Sequence, residues 1–408
     1  MRKLLIGAGC IALSLIAACG GGGGGGGSPA SSPAAPTPSP SNTIAAPADN
    51  VQPVSVEFGT NAVNNILFTT ITICSPGSSA NCQTIDHVAV DTASTGLRIV
   101  SSALAASLSL IQQTDSNGNA ILECAQFATG VSWGPVKIAD VKIAGKQALS
   151  VPIQIVGDPA FPTIPAPCSS LGATQTLFAN GLLGIGMFLQ DCGGGCVRST
   201  SPGFYYACPT PLACQGALMP LGNQVQNPVA MFATDNNGVI IELPPIPATG
   251  AATVSGSLVF GIGTRANNAL GSAVVFPVDP ARGTFTTVYK SQQLRESFLD
   301  SGSNAFFFPD ATIPLCPSGD FYCPGSTLNL SATIQATNGT AADINFNVGN
   351  AISLLQNNPN AAAFNSLAGP IGLPNSFDWG LPFYFGRNVY SAFSGRTAAG
   401  IPGPYIAF

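Results

Sequence analysis

The sequence predicts a mostly-β chain with a few short helices, on three observations. Short runs rich in β-branched residues, such as 66–73, alternate with clusters of Gly, Pro, Asn and Ser. Helical periodicity is weak and confined to 103–110, 224–233 and 352–367, the last interrupted by Pro359. An acidic segment at the end of an apolar strand occurs twice, once in each half. With 408 residues the chain exceeds a one-domain length of about 150, so two β lobes are expected, at 51–247 and 248–408. Asn117-Gly118 and Asn237-Gly238 read as hairpin turns.

The N-terminus comes first in chain order. Residues 1–19 run from Arg2 and Lys3 through the apolar stretch 4–18 to Cys19, as in a secretory signal. The apolar stretch is short of the ~20 residues a membrane-spanning helix needs. Leu15-Ile16-Ala17-Ala18-Cys19 resembles a bacterial lipobox, which implies cleavage before Cys19 and acylation of its thiol. Residues 20–50, a glycine run followed by a Ser/Pro/Ala/Thr-rich stretch, read as a disordered linker with a reach of very roughly 30 Å. Gly20 after the acylated cysteine points to the outer membrane, so the expected localisation is the bacterial envelope and the expected lipid partner is that membrane.

Composition narrows the function classes. Charged residues make up 8% and hydrophobic ones 46%, with a net charge of −5. So few Lys and Arg exclude a grip on a phosphate backbone, and no nucleic-acid partner is expected. The single histidine, His87, excludes multi-His zinc sites and is the one candidate base for a Ser-His or Cys-His mechanism. Of twelve cysteines, Cys10 and Cys19 belong to the N-terminal segment and ten remain. Cys74/Cys82, Cys192/Cys196, Cys208/Cys214 and Cys316/Cys323 are close neighbours, and Cys124 with Cys168 are left over. An even set in a secreted chain reads as disulfides. The group 192, 196, 208 and 214 allows three pairings, or a four-thiolate zinc site as the rival reading.

The two acidic segments are 85–100, containing Asp91-Thr92-Ala93-Ser94, and 297–307, containing Asp300-Ser301-Gly302-Ser303. A carboxylate in such a turn can accept from backbone N–H and hydroxyl groups, which favours its ionised form. An apolar pair followed by glycine comes 93 residues after Asp91, at Gly184, and 86 after Asp300, in Phe383-Tyr384-Phe385-Gly386. The chain thus reads as one unit present twice.

This pattern resembles the pepsin-like aspartic peptidases over most of 55–395. The resemblance implies a bilobal acid-protease β-barrel fold whose two Asp turns meet across a cleft. Phe127-Ala128-Thr129-Gly130 before Trp133 resembles the family's flap, and 256–261 resembles the strand opening its second lobe. It implies Asp91 and Asp300 as a catalytic pair sharing one proton, Ser94 and Ser303 orienting their outer oxygens, and Thr92 and Ser301 clamping the turns together. It implies no cofactor and no metal, a peptide or protein in the interlobe cleft, and a monomer. The whole chain also resembles an uncharacterised family of bacterial envelope lipoproteins, which brings no activity with it.

Three positions depart from the peptidase pattern. Ala93 replaces glycine, Phe127 replaces the flap tyrosine, and Arg98 stands where that tyrosine's tryptophan partner lies, free to stack on Phe127 or act on a nearby carboxylate. The function expected is an acid endopeptidase, with a catalytically inactive binding or adhesion protein as the alternative. Among the remaining residues, His87 reads as structural on the strand face of Asp91. Trp133, Trp379, 306–308 and Tyr384 read as core and cleft wall, with a sugar platform as the sharper alternative. Asp310 and Asp378 read as turn or capping carboxylates, and Arg387 and Arg396 as solvated or carboxylate-paired.

Overall fold

The computed structural model describes residues 43–128, 130–173, 177–373 and 375–408. The expectations for the signal peptide, for acylation at Cys19 and for Thr129 lie outside them.

The architecture is mostly β and two-lobed, with three short helices among the described residues, Ala166–Ser169, Gly194–Arg198 and Ala351–Asn357. In the first half, strand Cys82–Asp91 leads into the first acidic turn and strand Thr95–Val100 leads out. Strand Gly181–Ile185 inserts between these two arms, parallel to the first and antiparallel to the second. The second half repeats the arrangement: Asp378–Trp379 lies parallel to Gln292–Leu299 and antiparallel to Phe306–Phe307. The halves are stitched by Val51–Glu57, which pairs in register with Val254–Phe260. That sheet continues through Gly238–Leu243, Arg387–Ala392, Tyr405–Ala407 and Val275–Pro277.

Core burial on either side of an irregularity at His87 delivers the first acid. Ile85, Val88 and Val90 point into a core that also contains Leu183, Leu299 and Trp379, and burying them fixes the register of the strand that carries Asp91. In the second half the acidic strand is shored by stacked rings, with Phe377 on Trp379 at 4.1 Å between centroids and Phe308 on Phe377 at 4.8 Å. The Trp379 indole N–H donates to Thr287 Oγ1 at 3.0 Å, so this tryptophan is core and not an exposed sugar platform. Trp133 is likewise buried.

The helix expectations need correction. Residues 103–110 form no helix beyond the 3-10 turn Ser101–Ala103, and 224–233 contain only the 3-10 turn Val229–Met231. Their apolar spacing serves scattered contacts with the core rather than one helical face. The third stretch does fold as Ala351–Asn357, capped by Asn350 accepting from Ser353 N at 3.0 Å, and ends before Pro359. Asn117-Gly118 closes a turn between the bridged residues Thr114 and Ala120, with Gly118 left-handed. Asn237-Gly238 does not close a hairpin. A 3-10 turn precedes it, and the Asn237 side chain instead clasps the backbone of Ile262.

All five disulfides join the near neighbours and the leftover pair: Cys74–Cys82, Cys124–Cys168, Cys192–Cys196, Cys208–Cys214 and Cys316–Cys323. The four sulfurs of the 192–214 group are thus oxidised in pairs, which removes the thiolate zinc reading. The end of the segment assigned to the linker is bound to the fold, where Asn388 Nδ2 donates to Thr43 Oγ1 at 3.3 Å. Ala45 N donates to Glu242 at 2.6 Å, Asn50 donates to Phe260 O, and Asp49 pairs with Arg265.

Candidate active site

Each acidic turn wraps its own carboxylate. Asp91 Oδ1 accepts from the N–H groups of Ala93 (2.8 Å) and Ser94 (3.1 Å), and Oδ2 accepts from Ser94 Oγ at 2.6 Å. Asp300 Oδ1 accepts from Gly302 N at 2.8 Å, and Oδ2 accepts from Ser303 Oγ at 2.9 Å. Ala93 carries no left-handed backbone, so its methyl costs the first turn nothing conformationally.

The two carboxyl groups converge. A Cβ placed on Gly302 would lie 2.9 Å from Asp91 Cγ and 3.1 Å from both Asp91 Oδ1 and Asp300 Oδ1, so both acids border the space that the glycine leaves open. The Asp91 and Asp300 side chains both border Gly302, and neither is exposed to solvent. Burial first, then the Asp91 charge and the Asp378 charge, push the Asp300 carboxyl well above its ordinary range. Ala93 and Gly302 are the partly exposed residues of the two turns.

The turns also bind each other. Ser301 N donates to Thr92 Oγ1 at 3.0 Å, Thr92 Oγ1 reaches Leu299 O at 3.3 Å, and Ser301 Oγ donates to Val90 O at 2.9 Å. Each half therefore grips the strand that carries the other's acid. Tyr384, read from the sequence as core and cleft wall, joins this grip: its buried hydroxyl lies 2.8 Å from Thr92 Oγ1.

The crossing strand of the second half is not the one expected. Asp91 pairs with Gly184, and two residues earlier Ala89 pairs with Leu182. In the second half Phe298, two residues before Asp300, pairs with Asp378, and Asp300 N donates to Trp379 O. The counterpart of Leu182-Leu183-Gly184 is therefore Asp378-Trp379-Gly380, and 383–386 lie beyond the crossing. Close approach selects both glycines. A Cβ on Gly184 would come 2.8 Å from Ser94 Oγ, and one on Gly380 would come 2.1 Å from Ala305 O. The search for an apolar pair missed this strand because its first residue is an acid. Asp378 is no cap: it is buried against the pair, and Ser303 Oγ lies 2.5 Å from its Oδ2.

Where the sequence resembles a flap, Phe127 is buried among Ala125 and Leu182, and Gly130 abuts the 172–173 backbone, where Val131 N donates to Ala173 O. Arg98 lies over the Phe127 ring at 5.6 Å and donates to Glu123 Oε1 at 2.5 Å. Asp191 sits 3.5 Å from the same guanidinium nitrogen and accepts from Tyr205 OH at 2.7 Å. Burial opposes the Arg98 charge, but Glu123 and Asp191 more than offset it and raise its pKa. Sequence spacing marked Arg98 but not the two acids that pin it.

Other expected roles resolve as follows. His87 is half-exposed beside Glu57 and Asp86, and its left-handed backbone takes it out of alternation with Asp91, correcting the shared-face reading. Asp310 is a turn carboxylate, accepting from Thr312 N and from Tyr289, and it pairs with Lys290. Arg387 is partly exposed and has no carboxylate partner among the described residues: it donates to Phe383 O at 2.6 Å and lies 4.6 Å over the Phe383 ring, and burial lowers its pKa to about 10. Arg396 similarly reaches Ala230 O.

Two acidic turns brought together by duplicated crossing strands and a mutual hydroxyl grip define the two-lobed, pepsin-like class of β protein. The chain belongs to the family described as a protein of unknown function (DUF3443), which matches residues 46–408. No curated protein matches it. Among solved structures it is similar to an aspartic proteinase from Irpex lacteus, with 13% identity and a TM-score of 0.48, over 88% of this chain and 96% of that one.

Proposed function

We propose that this protein is an acid endopeptidase, held at the outer membrane of a bacterial envelope by acylation at Cys19, acting as a monomer on peptides or proteins. The observation that carries the peptidase reading is that the buried Asp91 and Asp300 carboxyls converge on one point beside Gly302, each wrapped by its own turn.

The chemistry follows from the asymmetry between them. Three donors converge on Asp91 and two on Asp300, so the shared negative charge is better placed on Asp91 and the proton on Asp300. Asp91 takes a proton from a water whose oxygen attacks the peptide carbonyl carbon. Asp300 hydrogen-bonds the carbonyl oxygen as charge builds on it. The tetrahedral intermediate then collapses, the C–N bond breaks, and the amine leaves with a proton delivered by the pair.

The test is cleavage of a denatured protein substrate at about pH 4–6, with wild type and Asp300→Asn. A fall of about 10³-fold in the variant is expected. Equal rates would overturn the reading. Radiolabelled fatty acid should enter the wild type and not Cys19→Ser, and label in both would remove the anchor.

A second reading, a binding or adhesion protein that does no chemistry, is favoured by the complete burial of both carboxylates. Under it, wild type is inert throughout the acid range while a peptide ligand still binds Asp300→Asn.

A further inference from the structure

Ser303 Oγ stands between two carboxylates, 2.9 Å from Asp300 Oδ2 and 2.5 Å from Asp378 Oδ2. A hydroxyl has one proton to donate, so it can serve only one of the two as donor. The other contact needs a proton from the carboxyl side, or two oxygens repel at hydrogen-bond distance. Asp378 is the group equipped to supply it. It is 4% exposed, and its other oxygen, Oδ1, is buried without a hydrogen-bond partner. An ionised carboxylate with an orphaned oxygen in that setting is costly, whereas a neutral carboxyl with a bare C=O is much less so.

We propose that Asp378 is a third acid of the site, protonated at neutral pH, donating from Oδ2 to Ser303 Oγ, which in turn donates to Asp300 Oδ2. With one proton between Asp300 and Asp91, three carboxyls then hold two protons and one negative charge. Asp378 is a positioning residue: it sets the direction of the Ser303 hydroxyl and keeps the dyad proton on the Asp300–Asp91 side. Its counterpart in the first half, Leu182, carries no such group, so only the second turn is wired this way.

The titratable groups around Asp378 agree. Asp300 and Asp91 face it from the two acidic turns, and Tyr384 from the segment after the 3-10 turn Leu381–Phe383 feels its charge as well. Burial and the Asp91 charge push the Asp378 carboxyl upward, while Ser303 pulls the other way. The sign for stability follows. A carboxyl whose pKa is raised on folding destabilises the fold progressively as pH climbs above its ordinary value of about 4.

The proposal rests on the dyad reading for its catalytic meaning, but its proton count does not, and the test separates the two. Thermal unfolding of full-length wild type and Asp378→Asn is followed from about pH 4 to about pH 8. The amide keeps a donor for Ser303 and has no proton to lose, so wild-type Tm should drop against the variant by roughly 2–4 °C over this range. Parallel curves would overturn the proposal. Should the amide variant fail to fold, Asp378→Leu, the residue type of position 182, gives the same comparison. As a second readout, the infrared C=O band of protonated carboxyls at neutral pH should lose intensity in either variant, and an unchanged band would count against it. If cleavage is detectable, Asp378→Asn should also move the alkaline limb of the pH–rate profile upward while Asp378→Leu lowers the maximum. An inert protein with diverging Tm curves would defeat the peptidase reading and leave the third acid standing. An active one with parallel curves would do the reverse.

Discussion

Tyr384 and Thr92 are 292 residues apart in sequence, yet their hydroxyl oxygens lie 2.8 Å apart in the buried seam between the two acidic turns. Thr92 Oγ1 also receives Ser301 N, so the tyrosine braces the atom through which each turn grips the other. Tyr384→Phe should therefore cost about 1 kcal/mol, the loss of one buried hydrogen bond, measured by urea unfolding. Thr92→Ala should cost more, about 2–3 kcal/mol, because it also strands a buried N–H.

The seam has a built-in asymmetry that substitutions can read. Gly302 has no room for a methyl beside the two carboxyls, whereas Ala93 already carries one in the first turn. Gly302→Ala should destabilise by about 1–3 kcal/mol and abolish any cleavage by prising the acids apart. Ala93→Gly should cost less than ~1 kcal/mol. Equal penalties in a melting assay would contradict this.

Stability should peak on the acid side of neutral. Asp300, Asp378 and Asp191 all have raised carboxyl pKa values, burial being the first cause of each, so each contributes stability that is lost as pH rises above the ordinary carboxylate range. Asp310 works in the opposite direction. Burial opposes its ionisation, but Lys290, Thr312 and Tyr289 prevail and lower it to about 2, so its contribution is lost as pH falls from about 4 through 2. A Tm profile with its maximum near about pH 4–5 is expected, and a maximum above neutrality would refute it.

Arg98 is a buried cation held between two buried acids, Glu123 and Asp191. Arg98→Met leaves Glu123 and Asp191 facing each other without it, and a loss of about 3–5 kcal/mol is expected. Arg98→Lys should recover only part of this, because one ammonium cannot bridge Glu123, Thr95 O and the Phe127 face together. Full recovery with lysine would mean that charge alone matters there.

The β class, the duplicated Asp turns and an even set of closely spaced cysteines are legible in the letters because each depends on local chemistry, namely β-branched runs and hydroxyl and amide donors one to three residues from a carboxylate. The pairing within the 192–214 cysteine group stays open there, and the structure decides it by joining 192 to 196 and 208 to 214. The helical stretches misled because an apolar spacing of three or four also arises when an irregular segment touches a core several times. The second crossing strand was invisible for a different reason. A search for apolar-apolar-glycine cannot find Asp378-Trp379-Gly380, where an acid stands in the apolar place.

The sequence alone thus determined that two acidic turns exist and that hydroxyl residues flank them. Only the tertiary structure decided that Asp91 and Asp300 converge beside Gly302, that Tyr384 and Thr92 brace the seam there, and that Asp378 joins it through Ser303. Each of these is a meeting of side chains some 75 to 292 residues apart. Sheet register and core packing set such meetings, and no local run of residues encodes them.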